Sequence, residues 1–185
     1  MTDTETYVME CITKWVWSGF YAPAHVRDMM DDILEPDCDV SRLEAFIASE
    51  FERKVAAEAS WPSETDCDRL DRVFYHLHED GICALSNAGY TMSDGHADVS
   101  EAVDDAPEGH YHGYCFYHGQ DVDRALDGHG IMIAFGDLAD DKARGSAVGH
   151  RVAEALSLAG FGVSWDGSVA TRINIPSFDW KRRQT

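Results

Sequence analysis

Basic residues are scarce in this chain. Its 185 residues hold 15 Lys and Arg against 34 Asp and Glu, a formal net charge of −19. An acidic surface repels phosphates, which argues against direct DNA or RNA binding. Long apolar runs are missing too. No segment approaches the ~20 residues that span a bilayer. The opening Met1–Cys11 is acidic and polar, without the positive start and apolar stretch of a secretory signal. A cytoplasmic protein with no membrane contact is therefore expected. Cys11, Cys38, Cys67, Cys83 and Cys115 are odd in number and widely spaced, with no Cys-x-x-Cys. That pattern argues against a disulfide framework and a zinc ribbon, and fits reduced thiols. No phosphate-cradling loop, Gly-x-Ser-x-Gly or dinucleotide fingerprint is found, and no His-x-x-x-His.

What is present suffices for a core: 44% of residues are hydrophobic. The acids are unevenly placed along the chain. Residues 1–110 carry 25 Asp and Glu against 7 Lys and Arg, whereas residues 111–185 carry 9 against 8. The imbalance of −18 against −1 suggests either a solvated face or a surface for a basic protein partner.

Residues 1–80 read as an acidic helical part. Val8, Cys11, Ile12, Trp15 and Val16 recur at helical spacing before Ser18-Gly19, and Pro23 suits a first helical turn. Ser41-Arg42-Leu43-Glu44 has the form of a capping box. It opens a helix whose apolar face would be Leu43, Phe46, Ile47, Phe51 and Val55. Another amphipathic helix follows Thr65, with Leu70, Val73, Phe74 and Leu77 inward and Gly81 at its end.

Residues 81–185 read as a sheet part. Strands are expected at 82–85, 111–118, 131–136 and 161–166, with a further C-terminal strand, while 94–104 fits a short helix only loosely. Asp121 caps a short helix through Leu126, and Asp140 or Asp141 starts a longer one ending at Gly160. In the last hairpin a three-residue loop, Asp166-Gly167-Ser168, pairs Trp165 with Val169, Val163 with Thr171 and Phe161 with Ile173. That register makes one face apolar throughout. The whole is an α+β fold: a helical N-terminal part, then a mainly antiparallel sheet with a covering helix, compatible with a ferredoxin-like core and with one continuous domain.

The stretch HYHGYCFYHGQD, His110 to Asp121, comes nearest to a chemical motif. In a regular strand His110, His112, Tyr114, Phe116 and His118 share one face. His112 and His118 would then stand ~20 Å apart, too far to grip one ion, so no metal or cofactor is expected. Cys115 faces the other way and has no neighbouring base to activate it. The candidate ligand-binding residues are His118, Gln120 and Asp121 at the strand-to-helix junction, Trp165 and Asp166 at the hairpin turn, and Arg172 as an anion-binding side chain. No residue qualifies as catalytic on spacing alone.

Several motifs occur in order: Phe116-Tyr117-His118-Gly119-Gln120-Asp121, Ile131–Gly136, Gly160–Gly167, Arg172-Ile173 and Asp179–Arg183. With Trp61-Pro62, Asp66–Leu70 and Gly81-Ile82, they resemble the bacterial DUF6891 family of uncharacterised proteins over roughly residues 60–183. The resemblance lends no catalytic role to any residue. It implies, in many relatives, a cysteine-containing segment after the Gly-Ile strand. Here Asn87–Gly95 contains none. The leading expectation is a non-enzymatic binding or regulatory module whose acidic N-terminal part meets a basic protein partner. The alternative is a small-molecule enzyme with a polar site at 118–121 and 165–166. A nucleic-acid mimic is a third reading.

Overall fold

The computed structural model describes residues 2–184 and divides the chain into two compact units. The smaller comprises the residues up to Thr65 together with those from Lys181 onward. The larger runs from Asp66 to Trp180. The division thus falls ahead of the change in sequence pattern at Gly81.

In the smaller unit, α1 (Asp3–Ser18), α2 (Pro23–Asp31) and α3 (Val40–Glu58) enclose Val8, Ile12, Val16, Val26, Met30, Leu43 and Ile47. A capping box between Thr2 and Glu5 opens α1, and Gly19 closes it at φ 82°, a left-handed value that favours glycine. Glu5 is buried and also accepts the Asp39 N–H at 3.0 Å, tying the start of α1 to that of α3. Hydrogen bonds from the Asp39 and Thr2 amides hold its carboxyl below the ordinary value.

Two expectations for α3 fail. Its N-cap is Asp39, which accepts from the Arg42 N–H at 3.2 Å, ahead of the Ser41–Glu44 box. Its buried face runs Leu43, Ile47, Glu50 and Lys54, while Val55 is 63% exposed. Helical geometry continues the stripe at three- and four-residue steps whatever residue falls there. The charged members are accommodated by partners. Trp17 Nε1 donates to Glu50 at 2.8 Å, and Arg53 pairs with the same carboxylate. Lys54 Nζ donates to Gln184 Oε1 at 3.2 Å and lies 3.7 Å from Glu58. The Gln184 side-chain amide in turn donates to the Tyr21 carbonyl, and its backbone N–H to Glu58.

The larger unit contains α4 (Asp66–Glu79), β1 (Ile82–Leu85), α5 (Met92–Asp104), β2 (Gly113–Phe116), α6 (Gly119–Leu126), β3 (Ile131–Asp137), α7 (Lys142–Leu158) and β4 (Ile173–Ile175). The strands stand in chain order. β1 and β2 are parallel, and the pairs β2–β3 and β3–β4 are antiparallel. This is an α+β fold with a mainly antiparallel sheet. Parallel β1 and β2 lie side by side, so the split arrangement of a ferredoxin-like core is not formed. α4 packs on β1, and α7 on β3 and β2. On one face α5 covers a cluster of Ala88, Val99, Phe116 and Ala134.

Four local readings are corrected. The aromatic strand is shorter than 111–118, because His118 leaves it to become the N-cap of α6. Asp121 is accordingly the third residue of that helix and not its cap. Residues 92–104 form a full helix, opened by a capping box between Thr91 and Asp94. The C-terminal hairpin has another register: Ser164 bridges to Asn174, and β4 pairs with β3 as Ile131↔Ile175 and Ile133↔Ile173. The 161–166 segment is not a regular strand, because side chains close a wide loop there. Trp165 Nε1 donates to the Ser168 carbonyl at 3.0 Å. Asp166 accepts the Ser168 N–H at 2.9 Å and the Thr171 hydroxyl at 2.5 Å.

Candidate functional site

The α6 N-terminus and the residue before β4 meet on the sheet face that α5 partly covers. Arg172 Nη1 donates to both carboxylate oxygens of Asp121 at 2.9 Å and lies 3.3 Å from His118 Nε2. The His118 N–H donates to Asp121 Oδ2 at 3.2 Å, and His118 Nδ1 is 3.2 Å from the same oxygen. Both His118 and Asp121 are buried, whereas the Arg172 side chain keeps 28% of its surface exposed.

Hydrogen bonding assigns the imidazole tautomer. The Asp121 N–H lies 3.3 Å from Nδ1, but its own 2.9 Å contact with the His118 carbonyl is shorter. Nδ1 is therefore the protonated nitrogen and donates to Asp121, while Nε2 accepts from Arg172. A second ring proton would point at the guanidinium. Burial lowers the His118 value; Asp121 raises it and Arg172 lowers it further. The Asp121 carboxyl is pushed up by burial, with Arg172 and His118 pulling it back. Every polar atom of the His118 and Asp121 side chains is thus engaged inside the cluster. The arrangement is a strut fixing the 166–172 loop to α6, with no base left over for a substrate.

The remaining candidates are placed elsewhere. Gln120 is exposed, and its backbone N–H donates to the Tyr90 carbonyl. Trp165 packs edge-on against Phe135 and His150, and Asp166 is spent on its own loop. Cys115 is fully buried, and burial pushes its thiol up, away from the nucleophilic thiolate. His110 and Tyr111 lie beside His78, whose Nε2 is 2.8 Å from the Tyr111 hydroxyl. Among the described residues, no three His, Cys, Asp or Glu converge as a metal site.

Two clefts flank α5, and the sequence reading missed both. Gly95 lets the helix sit directly on the Phe116 ring, which a Cβ there would strike. Toward β3 and the 166–172 loop lies a cleft of about 210 Å³, bordered by Met92, His96, Tyr114, Ala134, Thr171 and Arg172. Beside the turn after β1 lies a second, of about 320 Å³, where Leu85, Ala88 and Ala102 meet Asp98, Glu101 and Asp105. Thr91-x-x-Asp94 was the available signal. Once it starts a helix, Asp98, Glu101 and Asp105 fall on one side of it.

These features define an α+β protein with a closed His–Asp–Arg strut and two clefts beside one helix. The chain belongs to the DUF6891 family, a domain of unknown function, whose family model matches residues 1–184 and so takes in the N-terminal helices as well. No curated protein and no solved structure matches it. No helix among the described residues is long and apolar enough to cross a membrane.

Proposed function

We propose that this protein is a non-enzymatic cytoplasmic binding module that receives a basic protein segment in the cleft between α5 and the turn after β1. The observation carrying this reading is the carboxylate rim. Asp98, Glu101 and Asp105 border a cleft that also presents apolar Leu85, Ala88 and Ala102 beside Ser86 and Asn87. A Lys or Arg side chain has that dual chemistry, an apolar stem with a cationic head. The charge balance supports the same unit. Residues 66–180 hold 20 acids against 7 bases, and residues 1–65 with 181–185 hold 14 against 8. The acid excess read along the chain as N-terminal is therefore larger in the unit that carries α5. Against an enzyme stands the closed strut, in which His118 and Asp121 satisfy each other and Arg172.

The test is a fluorescence titration with a labelled Lys/Arg-rich peptide and a Glu-substituted control. The basic peptide binds, and binding weakens as salt rises from about 50 to 300 mM, because the screening length shrinks. Asp98→Lys/Glu101→Lys/Asp105→Lys weakens it by about tenfold or more. Asp31→Lys/Asp32→Lys/Glu35→Lys changes net charge equally in the smaller unit and serves as the control. Equal losses from both triple variants would remove the cleft from the proposal.

A further inference from the structure

The cleft of about 210 Å³ carries an inference independent of the basic-segment reading. We propose that the cleft between α5 and the 166–172 loop is a binding site for a small carboxylate with a flat apolar body, held by Arg172 and Tyr114. Three polar groups on its walls lack strong partners within the protein. Arg172 spends Nη1 on Asp121 and His118, while Nη2 meets only the Met132 sulfur at 3.3 Å, a weak acceptor. The Tyr114 hydroxyl and the His96 ring nitrogens have no hydrogen-bond partner among the described residues. Their rings meet edge-on at 5.4 Å, and Tyr114 stacks on Phe116.

Between these groups the floor is apolar, with Met92 and Ala134. A guanidinium edge and a phenol at the rim of an apolar slot suit an oxyanion attached to a planar hydrocarbon. The strut gives Arg172 its second role. Asp121 and His118 hold Nη1 in place, so little rotamer freedom is lost when Nη2 binds. Burial raises the Tyr114 phenol above its ordinary value, with Asp140 adding to it, so at neutral pH the hydroxyl is a donor. Arg172 and Tyr114 then both donate, and the acceptor must come from the ligand.

Benzoate, benzamidine and inorganic phosphate separate the requirements. In amide-resolved NMR titrations of the full chain, benzoate produces saturable shifts at Tyr114, Ala134 and Arg172. Benzamidine, of equal shape and opposite charge, produces none there, and phosphate, lacking the flat body, produces none that saturate. Tyr114→Phe keeps the ring and weakens benzoate by about threefold to tenfold, the effect of one lost hydrogen bond to a charged group. Arg172→Lys weakens it by about tenfold or more, because the paired geometry of the guanidinium is lost. Tyr114→Phe removes no packing, so it reads the site even where Arg172→Lys unfolds the loop. Absence of saturable benzoate shifts, equal shifts with benzamidine or phosphate, or an unchanged benzoate affinity in Tyr114→Phe would each overturn the proposal.

Discussion

In the smaller unit, Glu50 and Lys54 are buried in a network closed by Trp17, Arg53, Glu58 and Gln184. In the larger unit, buried Asp121 meets Arg172, a residue that also lines a cleft. Both networks take ions out of water, which costs several kcal/mol per ion unless partners compensate. They differ in what is left over. Lys54 is 1% exposed and its partners come from the fold itself, whereas Arg172 keeps 28% of its side chain exposed. Buried charge like that of Lys54 is spent on the fold, although Glu50 of the same helix also holds Arg53, whose side chain is 67% exposed. Buried charge like that of Asp121 orients a group that solvent or a ligand can reach.

The sharpest way to test that contrast is Asp121→Ala. It strands Arg172 and His118 and removes the carboxylate that the His118 N–H needs, so the larger unit loses about 3–5 kcal/mol in urea unfolding. A loss below about 1 kcal/mol would mean that the cluster is solvated and is not a strut. Lys54→Met comes next. It replaces a buried cation with an apolar chain of similar length and leaves Glu58 with the Gln184 N–H. The expected cost is about 2 kcal/mol, read from urea unfolding of the smaller unit. An unchanged or raised midpoint would show that the lysine contributes nothing net.

The smallest effect is a pH slope. Burial holds the His118 imidazole below its ordinary 6.5, so as pH falls the unfolded chain takes up that proton first. The stability it contributes is present above 6.5 and is lost as pH falls through the lower folded value. His118→Asn keeps a polar side chain at the N-cap position of α6 and removes the titration. Wild type should therefore lose stability relative to His118→Asn by up to about 1.4 kcal/mol per pH unit below 6.5. Parallel stability curves would place the imidazole in solvent.

Much of this architecture was legible in the residues. Pro23, Gly19 and Gly81 marked helix ends, and Ile131–Phe135 announced a buried strand, because each signal is local. The α3 face was misread because apolar residues were followed where geometry dictated the stripe; Val55 lost to Lys54, whose Gln184 partner lies far along the chain. The hairpin register failed for a related reason. Maximising apolar alternation ignored Asp166 and Trp165, which close a wider loop by hydrogen bonds. Of the candidate site, His118, Asp121 and Arg172 do converge, although nothing in the sequence separation of Asp121 and Arg172 showed that they would. Tyr114 reads as a strand residue and His96 lies in the 94–104 segment that fits a helix only loosely, and their common cleft exists only once α5 is laid across the sheet.

Residues 181–184 belong with the helices at the other end of the chain. The larger unit is therefore an insertion within the smaller one. During synthesis, residues 66–180 leave the ribosome before the tail that completes the first three helices, so Lys54 is without Gln184 until the insertion has already had time to fold. The helices translated first are the last to acquire their full set of partners.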